Sequence, residues 1–188
     1  MTSQSKPRPP RKVSPEYLRR AGLHYLERYH ATQQSLRQVL MRRVTKHLRA
    51  YGGEREEMVG WVEAVIAEFV AKGFVNDGEF ALSRGRSLLT SGQSLRAVRM
   101  RLAQKGIASE QIDQAIGRLI EESDAPIDQA AAWAYARKRR LGPFRDEPQR
   151  AERRDKDLAA LARRGFAYDL AKKIIDFEGD PFEEAVGV

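Results

Sequence analysis

Cysteine is absent from the 188 residues, which excludes a disulfide framework, a thiolate nucleophile and any cysteine-ligated metal site. Histidine is nearly absent. His24 and His30 stand six apart, on different faces of any helix, and His47 belongs to a separate apolar-periodic segment. None has the i, i+4 partner or Glu-x-x-His context of a metal ligand, so all three are expected at surface or boundary positions. No phosphate-cradling glycine loop with its lysine occurs, and no dinucleotide fingerprint follows a strand. Glu110 with Asp113, and Glu121 with Glu122, read as charged helix faces. No catalytic, cofactor-binding or metal-binding constellation is expected, and the chain does not read as an enzyme. An apolar run of about 18 residues is also missing, because Gly60, Glu63 and Glu68 interrupt Met58 to Val70. The opening residues are basic and proline-rich without a secretory apolar stretch, which makes the cytoplasm the expected compartment.

What the chain does have is positive charge, unevenly placed. Charged residues make up 32% and the net charge is +8. Lys6, Arg8, Arg11 and Lys12 stand in residues 1–12 with no acid, and residues 77–125 are balanced. Residues 126–175 hold 13 basic and 7 acidic side chains, and the last thirteen residues hold five acids and no base. Such a balance speaks to polyanion attraction, not to fold.

The chain also repeats itself. Ser35-Leu36-Arg37-Gln38-Val39-Leu40-Met41-Arg42 returns as Ser94-Leu95-Arg96-Ala97-Val98-Arg99-Met100-Arg101, with six of eight residues identical. The same shift of 59 carries Lys105-Gly106-Ile107 onto Arg164-Gly165-Phe166. Recurring short units bury their apolar faces by stacking on neighbours. Helical spacing then sorts the residues into sets of three. Leu18, Ala21, Tyr25 and Tyr29 make one stripe behind Pro15. Leu36, Val39, Leu40, Val44, Leu48 and Tyr51 make a second, and Met58, Trp61, Val62, Val65, Ile66, Phe69 and Val70 a third. Asp77, Ser94 and Ser109 are the expected N-caps of the next set, with Phe80, Ala81, Leu88, Leu95, Val98, Leu102, Ile112, Ala115, Ile116, Leu119 and Ile120 inward. Ile127, Ala130, Trp133 and Ala134, then Leu158 and Leu161, then Leu170, Ala171, Ile174 and Ile175 make the last. The predicted fold is all-α: three tandem three-helix repeats forming an elongated, curved rod. A disordered basic arm is expected over 1–14, the repeats over 15–76, 77–125 and 126–177, and an acidic tail over 178–188.

Apolar stripes specify packing, so the candidates for recognition are the basic residues. Arg96, Arg99, Arg101 and Lys105 lie on the helix whose other face supplies Leu95, Val98 and Leu102. Arg137, Lys138, Arg139 and Arg140 close a later helix, and Arg153, Arg154, Lys156, Arg163 and Arg164 decorate the next. Cations at a helix C-terminus offset its dipole, but the excess over 126–175 is more than that requires. The pattern suits a surface that follows phosphates or an acidic protein groove.

Three stretches resemble the RecX family, modulators of the RecA recombinase. They are Leu26-Glu27-Arg28 followed by Ser35-Leu36-Arg37; Gly73-Phe74-Val75-Asn76-Asp77-Gly78-Glu79-Phe80-Ala81 joined to Lys105-Gly106-Ile107; and Leu161-Ala162-Arg163-Arg164-Gly165-Phe166-Ala167-Tyr168-Asp169. The resemblance covers residues 16–177. The stretch Val44–Glu57 looks like an insertion, and the proline-rich start is longer than a minimal member needs. The resemblance implies three tandem three-helix units and a monomer that binds the RecA–DNA filament, weakly contacting single- or double-stranded DNA there. It implies inhibition of RecA ATPase, strand exchange and coprotease activity in DNA repair, recombination and the SOS response, with no membrane partner. The alternative is a stand-alone helical DNA-binding protein in which Arg96 to Lys105 enter a groove. A basic adaptor for RNA would expose its aromatics for stacking, whereas Trp61, Phe69 and Trp133 fall on apolar stripes.

Overall fold

The computed structural model describes residues 11–181. Among them are nine α-helices and no strand, so the all-α class holds. The helices are α1 (Pro15–Leu26), α2 (Gln33–Tyr51), α3 (Arg55–Ala71), α4 (Asp77–Thr90), α5 (Leu95–Gln104), α6 (Ser109–Glu121), α7 (Ile127–Arg139), α8 (Glu147–Ala162) and α9 (Tyr168–Ile175). A single 3₁₀ turn, Gly142–Phe144, lies between α7 and α8. Buried side chains gather in three clusters. One includes Leu18, Leu36, Leu40, Val62 and Phe69, another Ala81, Val98, Leu102 and Ile112, and a third Trp133, Leu158, Leu161 and Ile174. The chain divides between Asp77 and Gly78 into two compact units, the first holding the first cluster and the second the other two.

In the first unit the chain is anchored before its first helix. The Val13 side chain is buried, and its N–H donates to His47 Nδ1 at 2.9 Å. Ser14 then caps α1, its Oγ accepting from the Tyr17 N–H at 3.2 Å. Of the arm expected over 1–14, residues 1–10 lie outside the described residues, while Val13 and Ser14 belong to the folded unit. His47 is only 8% exposed. Its acceptor nitrogen has a buried backbone donor to satisfy, which explains why it is not at the surface position expected of it. Gly22 lets α1 cross close to α3, since a Cβ there would stand 2.7 Å from the Phe69 ring. The Val44–Glu57 stretch lengthens α2 to 19 residues, against 10 in α5, and closes in Gly52 and Gly53 at positive φ. Arg37 clamps Glu63 of α3 with two 2.6 Å hydrogen bonds, which hold that carboxyl below its ordinary range.

Helix starts show a device used twice. Thr32 caps α2 through the Ser35 N–H at 3.1 Å, and Ser94 caps α5 through the Ala97 N–H at 3.2 Å. In each case the first helical amide goes to a carboxylate from the start of the next set. Gln33 N–H donates to Asp77 Oδ1 at 2.9 Å, and Leu95 N–H to Asp128 Oδ1 at 2.7 Å. Asp77 is therefore the first residue of α4 rather than its cap, its carboxylate being spent on α2. Burial raises its pKa, opposed by the Gln33 hydrogen bonds. Ser109 likewise begins α6, and Ala108 occupies the cap position without a side-chain bond. Ile120, Val70 and Ala134, expected inside, are exposed at the edges of their stripes.

The octapeptide repeat is out of register with the structure. The caps Thr32 and Ser94 are 62 residues apart. That spacing pairs Leu36 with Val98 and Leu40 with Leu102, all four fully buried. The 59-residue shift instead sets Ser35, in the first turn of α2, against the Ser94 cap. The three-residue slip is close to one helical turn of about 3.6 residues, which lets the two registers look alike in sequence. At the ends of α5 and α8 the 59 shift is right. Gly106 and Gly165 both have positive φ, and Ile107 and Phe166 N–H groups return to the Leu102 and Leu161 carbonyls, each at 3.4 Å.

Candidate interaction surface

Thirteen basic residues were expected to form the contact surface, and the second unit holds them in unequal states. On α5, Arg96 and Arg99 are one turn apart and share the outer face with Met100, which is 56% exposed. Arg99 is ion-paired with Asp113 of α6. Arg101 falls roughly 140° round the helix from Arg96, at about 100° per residue, so it flanks the opposite side of the buried stripe. Lys105 follows the last helical residue and is exposed. Arg137, Lys138 and Arg139 occupy the last turn of α7, and Arg140 follows in the left-handed region at φ 52°. All four are exposed at the negative end of the helix dipole. Lys138 lines an open cleft of about 510 Å³ with Arg86 and the α4 hydroxyls of Ser83, Ser87 and Thr90.

Three arginines of the set have intramolecular partners. Arg154 makes paired 2.7 Å hydrogen bonds to Asp176, which hold the Asp176 carboxyl below its ordinary range. Arg164 stacks over the Tyr135 ring at 4.4 Å, and its carbonyl accepts from the Ser94 N–H at 3.1 Å. Arg99 is tied to Asp113 as above. Arg153 lies 3.5 Å from Glu152, itself exposed. Arg96, Arg101, Lys138, Arg139, Arg140, Lys156 and Arg163 are exposed and make no ion pair among the described residues.

The start of α5 is closed. Ser94 is fully buried, a Cβ on Gly165 would stand 2.5 Å from its Oγ, and one on Gly92 would stand 2.6 Å from Tyr135 Cβ. A recognition helix reads bases from its N-terminal residues, and here that end is packed against α7 and the α8–α9 turn. What α5 offers is its outer face, Arg96 and Met100 foremost. Met100 was not singled out, although it lies inside the repeated octapeptide.

A second cationic cluster lies in the first unit, and its arginines stand too far apart in the sequence to be read there as one group. Arg11, Tyr17, Arg20, Ala21, His24 and Arg43 line a cleft of about 410 Å³. The spacing of Tyr17, Arg20, Ala21 and His24 along one helix face was a readable signal; nothing local marks Arg43 as their neighbour. Among the described residues no group of three or more His, Asp or Glu is placed to hold a metal ion. No described helix is long and apolar enough to cross a membrane.

Known proteins resemble this chain in sequence and in fold. Residues 76–116 match a family model described as RecX, second three-helix domain; they run from the α4 start through α5 into α6. The chain is similar to the regulatory protein RecX of Agrobacterium fabrum, 27% identical over 168 residues, covering 89% of this chain and 86% of that protein. In fold it is similar to the crystal structure of RecX from Lactobacillus salivarius, with a TM-score of 0.58 at 17% identity, covering 93% and 97% of the two chains. With the regulatory protein RecX of Myxococcus xanthus it shares 46% identity over 171 residues, 90% of each protein, and on that likeness the chain belongs to the RecX family of regulatory proteins.

Proposed function

We propose that this chain binds the RecA–DNA nucleoprotein filament and depresses its ATP hydrolysis, strand exchange and coprotease activity, without chemistry of its own. The observation that carries the reading is the 46% identity, across nine-tenths of both chains, with a protein named regulatory protein RecX. The physical account rests on tandem helical sets, each with its own buried cluster. Several modest contacts made by one chain combine into avidity. Exposed arginines on α5, α7 and α8 raise the rate of encounter with an anionic assembly, and salt lowers it. A chain that binds better to one filament conformation than to the others holds it there, which slows any step that requires the change.

The test is RecA ATPase on single-stranded DNA, titrated with this protein at low and high salt. Inhibition is expected, weaker at high salt. Changing Arg96, Arg101, Arg139 and Arg163 together to Glu should abolish inhibition while circular dichroism stays unchanged, because none of the four holds the fold. Full inhibition by that variant would remove the arginine surface, and none by the parent protein would remove the function.

A further inference from the structure

The cleft in the first unit is lined by three arginines, Arg11, Arg20 and Arg43, and by Tyr17, Ala21 and His24. Its volume of about 410 Å³ falls in the lower part of the roughly 300–1,000 Å³ range of ligand sites. One wall is the α1 face bearing Tyr17, Arg20, Ala21 and His24, and α2 contributes Arg43. Arg11 arrives on the segment that enters α1. That segment is held, because the Val13 N–H bonds His47 and Ser14 caps the helix. Lys12, by contrast, lies over the Tyr51 ring, 5.8 Å from its centroid. Two acids flank the cleft without lining it: Glu16 bonds at the start of α1 and feels the charge of Arg20, and Glu27, just past the end of α1, lies 3.3 Å from His24.

Two observations call for an anion here. Three arginines line one cleft with no carboxylate among the lining residues, and a bound oxyanion would offset their like charge. Independently, Arg43 Nε is buried and has no hydrogen-bond partner among the described residues. A buried donor without an acceptor is costly, and an oxyanion in the cleft that Arg43 lines supplies one. The planar fork of arginine matches phosphate oxygens in pairs. Tyr17 adds a ring against which a base or sugar can rest. Lys6 and Arg8 precede Arg11 in the chain, so the sequence next to the site continues the positive charge.

We infer that this cleft binds a phosphate of a nucleic-acid strand, its oxygens taken by Arg11, Arg20 and Arg43 and the adjoining nucleoside set against Tyr17. The site is independent of the filament reading and is tested without RecA.

The experiment uses the full chain and a short fluorescent single strand, followed by anisotropy. Arg20→Gln, an exposed change that leaves the core alone, and Arg43→Gln should each weaken binding about tenfold, the effect of one lost charge-assisted contact. Thermal melts check that Arg43→Gln still folds. Tyr17→Leu should weaken the strand while leaving inorganic phosphate competition unchanged. Parent-like affinity in both arginine variants would overturn the site. Inorganic phosphate binding as tightly as the strand would overturn the nucleic-acid assignment in favour of a free-phosphate site. Displacement of the strand by poly-glutamate as effectively as by unlabelled strand would overturn it in favour of an acidic protein partner.

Discussion

Helices α5 and α8 end alike and differ in the middle. Under the 59-residue shift Leu102 answers Leu161, both fully buried, and Gly106 answers Gly165. Four residues earlier, Val98 answers Asp157. Val98 is fully buried in an apolar cluster, whereas Asp157, 2% exposed, accepts from Gly142 N–H at 2.9 Å and from Arg145 Nε and Nη2 at 2.7 and 2.8 Å. The turn between α7 and α8 is longer than that between α4 and α5 and wraps through a 3₁₀ segment. A valine has nothing to offer its amide and guanidinium groups. One position in a repeat can thus hold an apolar plug or a polar anchor, according to the loop above it.

The largest expected effect breaks that contrast. Asp157→Ala leaves a part-buried guanidinium and a buried amide without their acceptor and should cost about 3–5 kcal/mol. Val98→Ala, which removes two methyl groups, should cost only about 2 kcal/mol. Chemical denaturation of the two variants measures the difference, and equal losses would mean Asp157 is no anchor. The double change Asp157→Val with Arg145→Leu sharpens the point. It removes both charges and should recover part of the Asp157→Ala loss, although Gly142 N–H stays unpaired.

Smaller effects are expected at the helix starts, where the two units agree. Thr32→Ala and Ser94→Ala each remove a cap hydrogen bond, and Thr32→Ala also the 3.0 Å donation of its Oγ1 to Ser35 Oγ; each should cost about 1 kcal/mol, read by thermal melts. A much larger loss at Ser94 would show that its contacts with the α8–α9 turn, and not the cap, dominate.

The smallest effects are in pH, and they have opposite signs. Asp77 has a raised pKa from burial, so its folded form retains a proton that the unfolded form releases. Its contribution therefore falls as pH rises from the ordinary aspartate range through the raised value. Asp77→Asn should flatten that fall while keeping an acceptor for Gln33. Asp176 has a lowered pKa from the Arg154 hydrogen bonds. Its contribution is present above the ordinary range and is lost as pH falls through the lowered value, and Asp176→Asn should abolish that loss. Urea midpoints between about pH 3 and pH 6 separate the two, since that window brackets the ordinary aspartate value near 3.9.

The features readable in advance were local. Glycines ending α5 and α8, the Ser94 cap and the stripes of Leu36, Val62, Ile112 and Ile174 follow from positive φ, first-turn amides and helical periodicity. The family resemblance was readable from short motifs for the same reason. Asp77 as a cap was misjudged because a carboxylate beside a helix start satisfies either its own helix or a neighbour's, and only packing decides which. His47 was misjudged because its donor, Val13, lies 34 residues away.

The thirteen basic candidates show the same division. Composition placed them outside the core, and they are mostly exposed. It could not say that Arg99, Arg154 and Arg164 have intramolecular partners while Arg96 and Arg163 make no ion pair among the described residues, because a partner such as Asp176 stands 22 residues from Arg154. Nor could it bring Arg11 and Arg43 to the face of α1.

Periodicity, glycine and cap chemistry act within a few residues, so the chain's own text settled its helices, their ends and its excess of positive charge. Which carboxylate neutralises which arginine, and which arginines meet around an empty space, depends on surfaces brought together from distant segments. Tertiary structure alone decided that, because charge pairing and cavity formation depend on distance in space and not on separation along the chain.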